Sequence, residues 1–166
     1  LLAARHGKRV IGADELEEGI MRVIAGPEKK SRLLSEKERK VTAFHEMGHA
    51  LVGHFLPHAN PVHKISVIAR GQALGVTVSM PTEDKFTTTK AEFEDQMAML
   101  LGGRAAEEIV FEEITTGASN DLERVTSIAK SMTMRFGMSD KLGPRVLGHS
   151  HGAPFLGRDM HSEPDY

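Results

Sequence analysis

Val41-Thr42-Ala43-Phe44-His45-Glu46-Met47-Gly48-His49-Ala50-Leu51-Val52 carries the pattern H-E-x-x-H inside an apolar run. Residues four apart on an α-helix lie one turn above each other on the same face, so both imidazoles can reach a single ion. Glu46 is rotated about 100° from His45 around the helix axis, beside that ion rather than opposite it. Two nitrogen donors with a carboxylate able to accept a proton from an attacking water form the donor set of a hydrolytic zinc site.

Two helical histidines around a solvated glutamate would spell the same five letters. The flanks favour the metal. Ser35-Glu36-Lys37-Glu38 upstream is a capping box, with Ser35 accepting from the Glu38 amide and Glu38 reaching back. Val41, Phe44, Gly48, Leu51 and Phe55 recur at three- and four-residue spacing. That pattern predicts a buried helix from Glu36 to Leu56, closed before Pro57. A charged Glu46 on so apolar a helix needs a partner, because burying an unpaired charge is costly.

Outward from this helix, Val62 to Ile68 and Ala73 to Met80 alternate apolar and polar residues around Arg70-Gly71-Gln72, which predicts a β-hairpin. Thr89 to Phe111 is helical again, with Phe93, Met97, Leu100, Leu101, Ala105 and Ile109 on one face. Gly102-Gly103 interrupts that face, and close helix packing is the expected reason. A loop at 114–119 leads to a helix at 120–136 whose buried stripe is Leu122, Val125, Ile128, Ala129 and Met132. Residues 1–25 suggest two helical pieces divided near Gly12, and Gly26-Pro27-Glu28-Lys29-Lys30 is the candidate boundary. The expected fold is mainly α, a helical domain with a small hairpin beside the zinc helix. Beyond Gly137 the chain becomes loop-rich, with His149, His151 and His161 in its tail.

The chain of 166 residues can bury a core, and its net charge of −2 gives no electrostatic reason to expect nucleic acid. Lys29, Lys30 and Arg32 read as a solvated linker. There is no cysteine, which excludes disulfides and thiolate ligands and is compatible with a reducing compartment. No apolar run approaches a membrane span, and the first residues do not form a signal peptide. The opening in mid-helix and the ending at Pro164-Asp165-Tyr166 suggest a piece of something longer.

Two imidazoles do not complete a catalytic zinc site, which usually has three protein ligands and one open position. The extended pattern H-E-x-x-H-x-x-G-x-x-H is absent, since Val52 and Phe55 occupy its glycine and third-histidine places. His54 and His58 are also four apart, but Pro57 breaks their helix. Glu107, Glu108 and Asp121 are the best carboxylates for the third ligand. Taken singly, Asp121 reads more readily as an ordinary acidic residue favoured by a helix N-terminus, and Glu107 as a solvated surface residue. Spacing alone leaves the choice among them open.

The chain resembles the peptidase domain of the FtsH family of membrane-anchored AAA+ zinc proteases. The resemblance runs through Gly26-Pro27-Glu28-Lys29-Lys30-Ser31, Phe44 to Ala50, Leu101-Gly102-Gly103-Arg104-Ala105-Ala106-Glu107-Glu108, Thr116 to Leu122, and Gly137 to Pro144, in the family's order. It implies that His45, His49 and Asp121 bind one Zn2+ and that Glu46 is the catalytic base. Glu107 matches a family glutamate expected to steady a ligand histidine, with its own ligation of the metal as the alternative. It further implies protein substrates, a homo-hexamer, and a membrane-anchored full-length protein with this domain on the cytoplasmic or equivalent organellar side. Residues 1–26 then correspond to the end of the ATPase lid, 27–34 to a linker, and 35–166 to a peptidase domain that continues further in the family. No G-x-x-x-x-G-K-[ST] loop occurs here, so ATP is expected only in the full-length protein. Leu74 to Met80 is the strand expected to hold substrate backbone by strand addition. A catalytically silent scaffold of the same fold is the competing reading, against which the intact Glu46 counts.

Overall fold

The computed structural model describes residues 1–29, 34–71 and 73–148. The tail histidines His149, His151 and His161 and part of the 27–34 linker lie outside the described residues. In order, the elements are α1 (Leu2–Arg5), α2 (Ala13–Ile24), α3 (Glu36–Phe55), β1 (Val62–Ser66), β2 (Val76–Ser79), α4 (Lys90–Phe111), a 3-10 turn (Thr116–Ala118) and α5 (Ser119–Met134). The fold is mainly α, with one small antiparallel sheet of two strands against α3.

Both long helices start at reciprocal caps. Ser35 Oγ accepts from the Glu38 amide at 3.2 Å while Glu38 accepts from the Ser35 amide at 3.0 Å. Thr89 and Glu92 repeat the arrangement at the head of α4, with distances of 3.3 and 2.7 Å. Each cap satisfies amides that have no partner within the helix, worth about 1 kcal/mol. Leu56 ends α3 in extended backbone, as a residue before proline must.

α3 and α4 make the most extensive contact in the molecule. It is a contact of backbones. A Cβ on Gly48 would lie 2.3 Å from the Gly102 carbonyl oxygen, and one on Gly102 would lie 2.6 Å from that of Gly48. Only hydrogen at both positions permits this approach.

The packed face of α3 is therefore not the apolar stripe that the spacing suggested. Phe44, Leu51 and Phe55 are 38%, 51% and 78% exposed, whereas Thr42, His45, Glu46, Gly48, His49 and Gly53 are buried. Small residues admit the neighbouring helix, and the polar residues face inward because they have partners there. Phe44 rests edge-on against Phe111 with ring centroids 5.5 Å apart. On α4 the expected face holds only in part: Leu100 is buried as expected, beside Gly102, Gly103 and Glu107, but Leu101 and Ile109 are 38% and 80% exposed. On α5, Met132 is buried and Val125 and Ile128 half-buried, in helical register with Asp121.

In the hairpin, Ile65 lies opposite Thr77 and Ser66 opposite Val76, with an irregularity between Val62 and Lys64. The ladder is shorter than the alternation predicted. It stops at Ser66 and Val76, and a separate turn follows in which Arg70 and Ala73 exchange backbone hydrogen bonds of 3.0 and 2.9 Å. That turn carries the Arg70 side chain to Glu18 of α2 at 2.7 Å and to Glu28 at 2.6 Å. Lys64 pairs with Glu17 beside it. No helix among the described residues is long and apolar enough to cross a membrane.

Candidate metal centre

His45 and His49 project from successive turns of α3 with their rings nearly perpendicular, centroids 4.6 Å apart. Each ring is fixed through its Nδ1. His45 Nδ1 lies 2.6 Å from Glu107 Oε1, and His49 Nδ1 lies 2.8 Å from the Met99 carbonyl oxygen. Both acceptors call for an Nδ1 proton, which leaves the two Nε2 atoms as bare lone pairs. The Gly103 amide lies 3.3 Å from His49 Nδ1, but the shorter contact with the Met99 carbonyl makes that nitrogen the donor.

The two Nε2 atoms face each other at 3.0 Å, and Asp121 Oδ2 lies 3.4 Å from each. These three atoms form a compact group able to hold a metal ion. Zinc in tetrahedral coordination, at its usual bond lengths to nitrogen and oxygen, separates neighbouring ligand atoms by about 3.4 Å. Observed edges of 3.0, 3.4 and 3.4 Å fit that ion. Two facing imidazole lone pairs also need a cation or a proton between them.

Asp121 reaches the histidines because the chain between α4 and α5 is pinned. Glu107, 2% exposed, accepts from the Thr115 amide at 3.0 Å through its second oxygen. Thr115 Oγ1 in turn accepts from the Gly117 amide at 3.1 Å and starts the 3-10 turn. Asp121 follows in the first turn of α5. Of the three candidate carboxylates, Asp121 stands at the Nε2 side and Glu107 behind His45. Glu108 is exposed and does not join the group.

Glu46 is buried at one side of the group. Burial raises its carboxyl above the usual glutamate range, opposed by a hydrogen bond from Thr77. Burial also works to raise Asp121, but pairing with His45 and His49 when these are protonated at Nε2 outweighs it and holds this carboxyl below its usual range. For His45, burial disfavours the cation, and Asp121 and Glu107 more than offset this, so the imidazole is raised.

Three features of the site carry no mark in the sequence pattern, and a fourth, Gly103, carries only a general one. Thr77 donates toward Glu46 Oε2 at 2.7 Å and lies 3.0 Å from the Glu46 carbonyl oxygen. A Cβ on Gly75 would fall 2.6 Å from Glu46 Oε1. One on Gly103 would fall 2.6 Å from His45 Cε1 and from His49 Nε2. Met99 contributes only its carbonyl. Thr77 reads as an ordinary strand threonine, and alternation along a strand does not reveal which helix residue it meets. The Gly102-Gly103 pair did signal close packing, though not against which rings.

Residues 32–166 match Peptidase family M41. Over all 166 residues the chain is 74% identical to the ATP-dependent zinc metalloprotease FtsH 1 of Conexibacter woesei, and 60% identical to the ATP-dependent zinc metalloprotease FtsH of Rubrobacter xylanophilus. A third relative, the ATP-dependent zinc metalloprotease FtsH 1 of Sphaerobacter thermophilus, is 54% identical over the same 166 residues. The chain spans 25%, 26% and 25% of the lengths of these curated relatives. A family match across most of the sequence, containing both histidines and the aspartate of the compact group, means that the chain belongs to peptidase family M41.

Proposed function

We propose that this chain is the proteolytic unit of a zinc metalloendopeptidase in which His45, His49 and Asp121 hold one Zn2+ and Glu46 is the general base. The observation that carries this reading is the triangle of Nε2, Nε2 and Oδ2 at tetrahedral spacing, with a buried carboxylate beside it. A zinc ion held there supplies a Lewis acid, which acidifies water and polarises the scissile carbonyl. Glu46 takes the proton from the attacking water and passes it to the leaving amine. Glu107 accepts from His45 Nδ1–H and the Met99 carbonyl from His49 Nδ1–H, which keeps both Nε2 atoms aimed at one point.

Substrate backbone adds to the hairpin along residues 74–80. Val76→Pro is the informative change there, because Val76 is half-buried while Val78 is buried and a proline at 78 would disturb packing. In the longer protein, residues 1–26 are the end of an ATPase lid, 27–34 a linker, and 35–166 the peptidase part. That protein is a membrane-anchored hexamer that uses ATP to degrade membrane and cytosolic proteins, with this part on the cytoplasmic or equivalent organellar side. The names of the relatives support the ATP dependence.

The test is metal analysis beside peptide cleavage for the parent and Glu46→Gln. Both should hold roughly one zinc per chain, and the variant should lose about a hundredfold or more in cleavage. A parent that binds zinc and cleaves nothing would make the chain a silent scaffold instead.

A further inference from the structure

Glu46 is held by two features of the hairpin that belong to neither the metal ligands nor their supports. The first is a hydroxyl. Thr77 Oγ1 lies 2.7 Å from Glu46 Oε2 and 3.0 Å from the backbone oxygen of the same residue. The second is a missing side chain. Any Cβ at Gly75 would come within 2.6 Å of Glu46 Oε1, 2.7 Å of its Cγ and 2.8 Å of Thr42 Cγ2. Gly75 immediately precedes β2 and Thr77 lies two residues on within it, so they turn to the same side of an extended chain. Together they form a seat: an open place for the carboxylate at one position and a donor at the next.

We infer that Thr77 is a positioning residue for peptide hydrolysis, holding the Glu46 carboxylate in the one orientation from which it serves an attacking water. This rests on the reading of Glu46 as the base. A glutamate next to two metal ligands has a competing use for its oxygens, since a carboxylate is itself a good zinc ligand. Turned onto the ion, Glu46 would fill the open position that water and substrate need. Turned to solvent, it would leave the reacting atoms. The Thr77 hydroxyl engages Oε2 and the Gly75 gap accommodates Oε1, so both alternatives are disfavoured by β2 and not by the helix that carries Glu46. The strand is itself registered, since Thr77 pairs with Ile65 across the hairpin. Both oxygens within its reach belong to Glu46, so the hydroxyl is bound to α3 whichever of them receives its single proton.

Thr77→Val keeps the shape and removes the hydroxyl, and Thr77→Ser restores it. Both are made in the full-length protein and assayed on a peptide, with zinc content measured beside. The valine variant should lose about tenfold to a hundredfold in kcat with KM and zinc content unchanged, as expected for a reacting group displaced by a fraction of an ångström. Serine should return kcat to within about threefold of the parent, since the same hydrogen bond re-forms. In a Glu46→Gln background Thr77→Val should remove little of the residual cleavage, because the group it positions is already gone. A crystal structure of metal-free Thr77→Val should show the Glu46 carboxylate moved from its seat. Parental kcat in the valine variant overturns the inference. So does an equal loss in both backgrounds, which would mean that Thr77 acts through packing. If Glu46→Gln cleaves like the parent, the base assignment falls first and this inference with it. Should the valine variant fail to fold, Thr77→Ala against Thr77→Ser gives the same comparison.

Discussion

Between α3 and α4 the backbones touch at Gly48 and Gly102, whereas α2 meets the hairpin region through ion pairs, Glu18 to Arg70 and Glu17 to Lys64, and leaves Leu16, Ile20 and Val23 at 59%, 51% and 87% exposure. Close backbone contact is short-ranged and indifferent to pH or salt, and it fixes side chains to within tenths of an ångström. That is what a set of ligands from separate helices requires. Ion pairs orient one element on another with little shape complementarity, and they respond to protons and electrolytes. The metal group is built on the first kind of contact and α2 is attached by the second.

The sharpest way to break this contrast is Gly48→Val. The added atoms would meet the Gly102 carbonyl within a distance no real contact shows, so α3 and α4 must part. We expect a loss of about 3 kcal/mol, read from the urea midpoint, with zinc binding lost alongside. A midpoint equal to that of the parent would refute the backbone contact. Next in size is the pair Asp121→Ala and Glu107→Ala, compared by zinc affinity. Removing the carboxylate at the Nε2 side should cost the greater share, and removing the one behind His45 roughly 10- to 100-fold. The reverse order would make Glu107 the third ligand.

Arg70→Met addresses the other half of the comparison. It removes the buried cation, 4% exposed, on which Glu18 and Glu28 converge. We expect roughly 1–3 kcal/mol less protection of α2 amides in hydrogen exchange, with α3 unchanged. Equal loss in both helices would mean that the two regions unfold as one. The smallest effect expected is with pH. Arg70 holds the Glu18 carboxyl down to about 2. A carboxylate lowered in the folded state contributes stability that is complete above its unfolded value of about 4.3 and disappears as pH falls through the folded value. Protection of α2 amides, taken relative to their intrinsic exchange rates at each pH, should therefore fall between about pH 4.5 and 2 in the parent and show less of this pH dependence in Arg70→Met. Identical profiles would remove Glu18 as the cause.

The sequence told most where local chemistry decides. Ser35 and Glu38 marked the start of α3, Pro57 its end, and the alternation at 62–80 the hairpin. His45, Glu46 and His49 followed from helical spacing alone. The meeting of Asp121 with the two imidazoles did not, because it depends on a turn pinned by Thr115 some residues away. Nor was the packed face of α3 legible. Counting apolar residues selected Phe44, Leu51 and Phe55, but the contact there is made by what the glycines lack. Thr77 went unnoticed for the related reason that a hydroxyl acquires meaning only from what it touches.

The segment from Thr115 to Asp121 has a consequence for which stretches can change in length. Glu107 grips both His45 and the amide of Thr115, so one carboxylate sets the origin from which Asp121 is counted. Inserting a single residue after that origin would swing the aspartate about 100° around its helix and away from the imidazoles. Residues 81–89, exposed throughout and remote from this count, obey no such rule. Length variation should be tolerated there and forbidden between Thr115 and Asp121, however exposed the individual side chains of that short connection are.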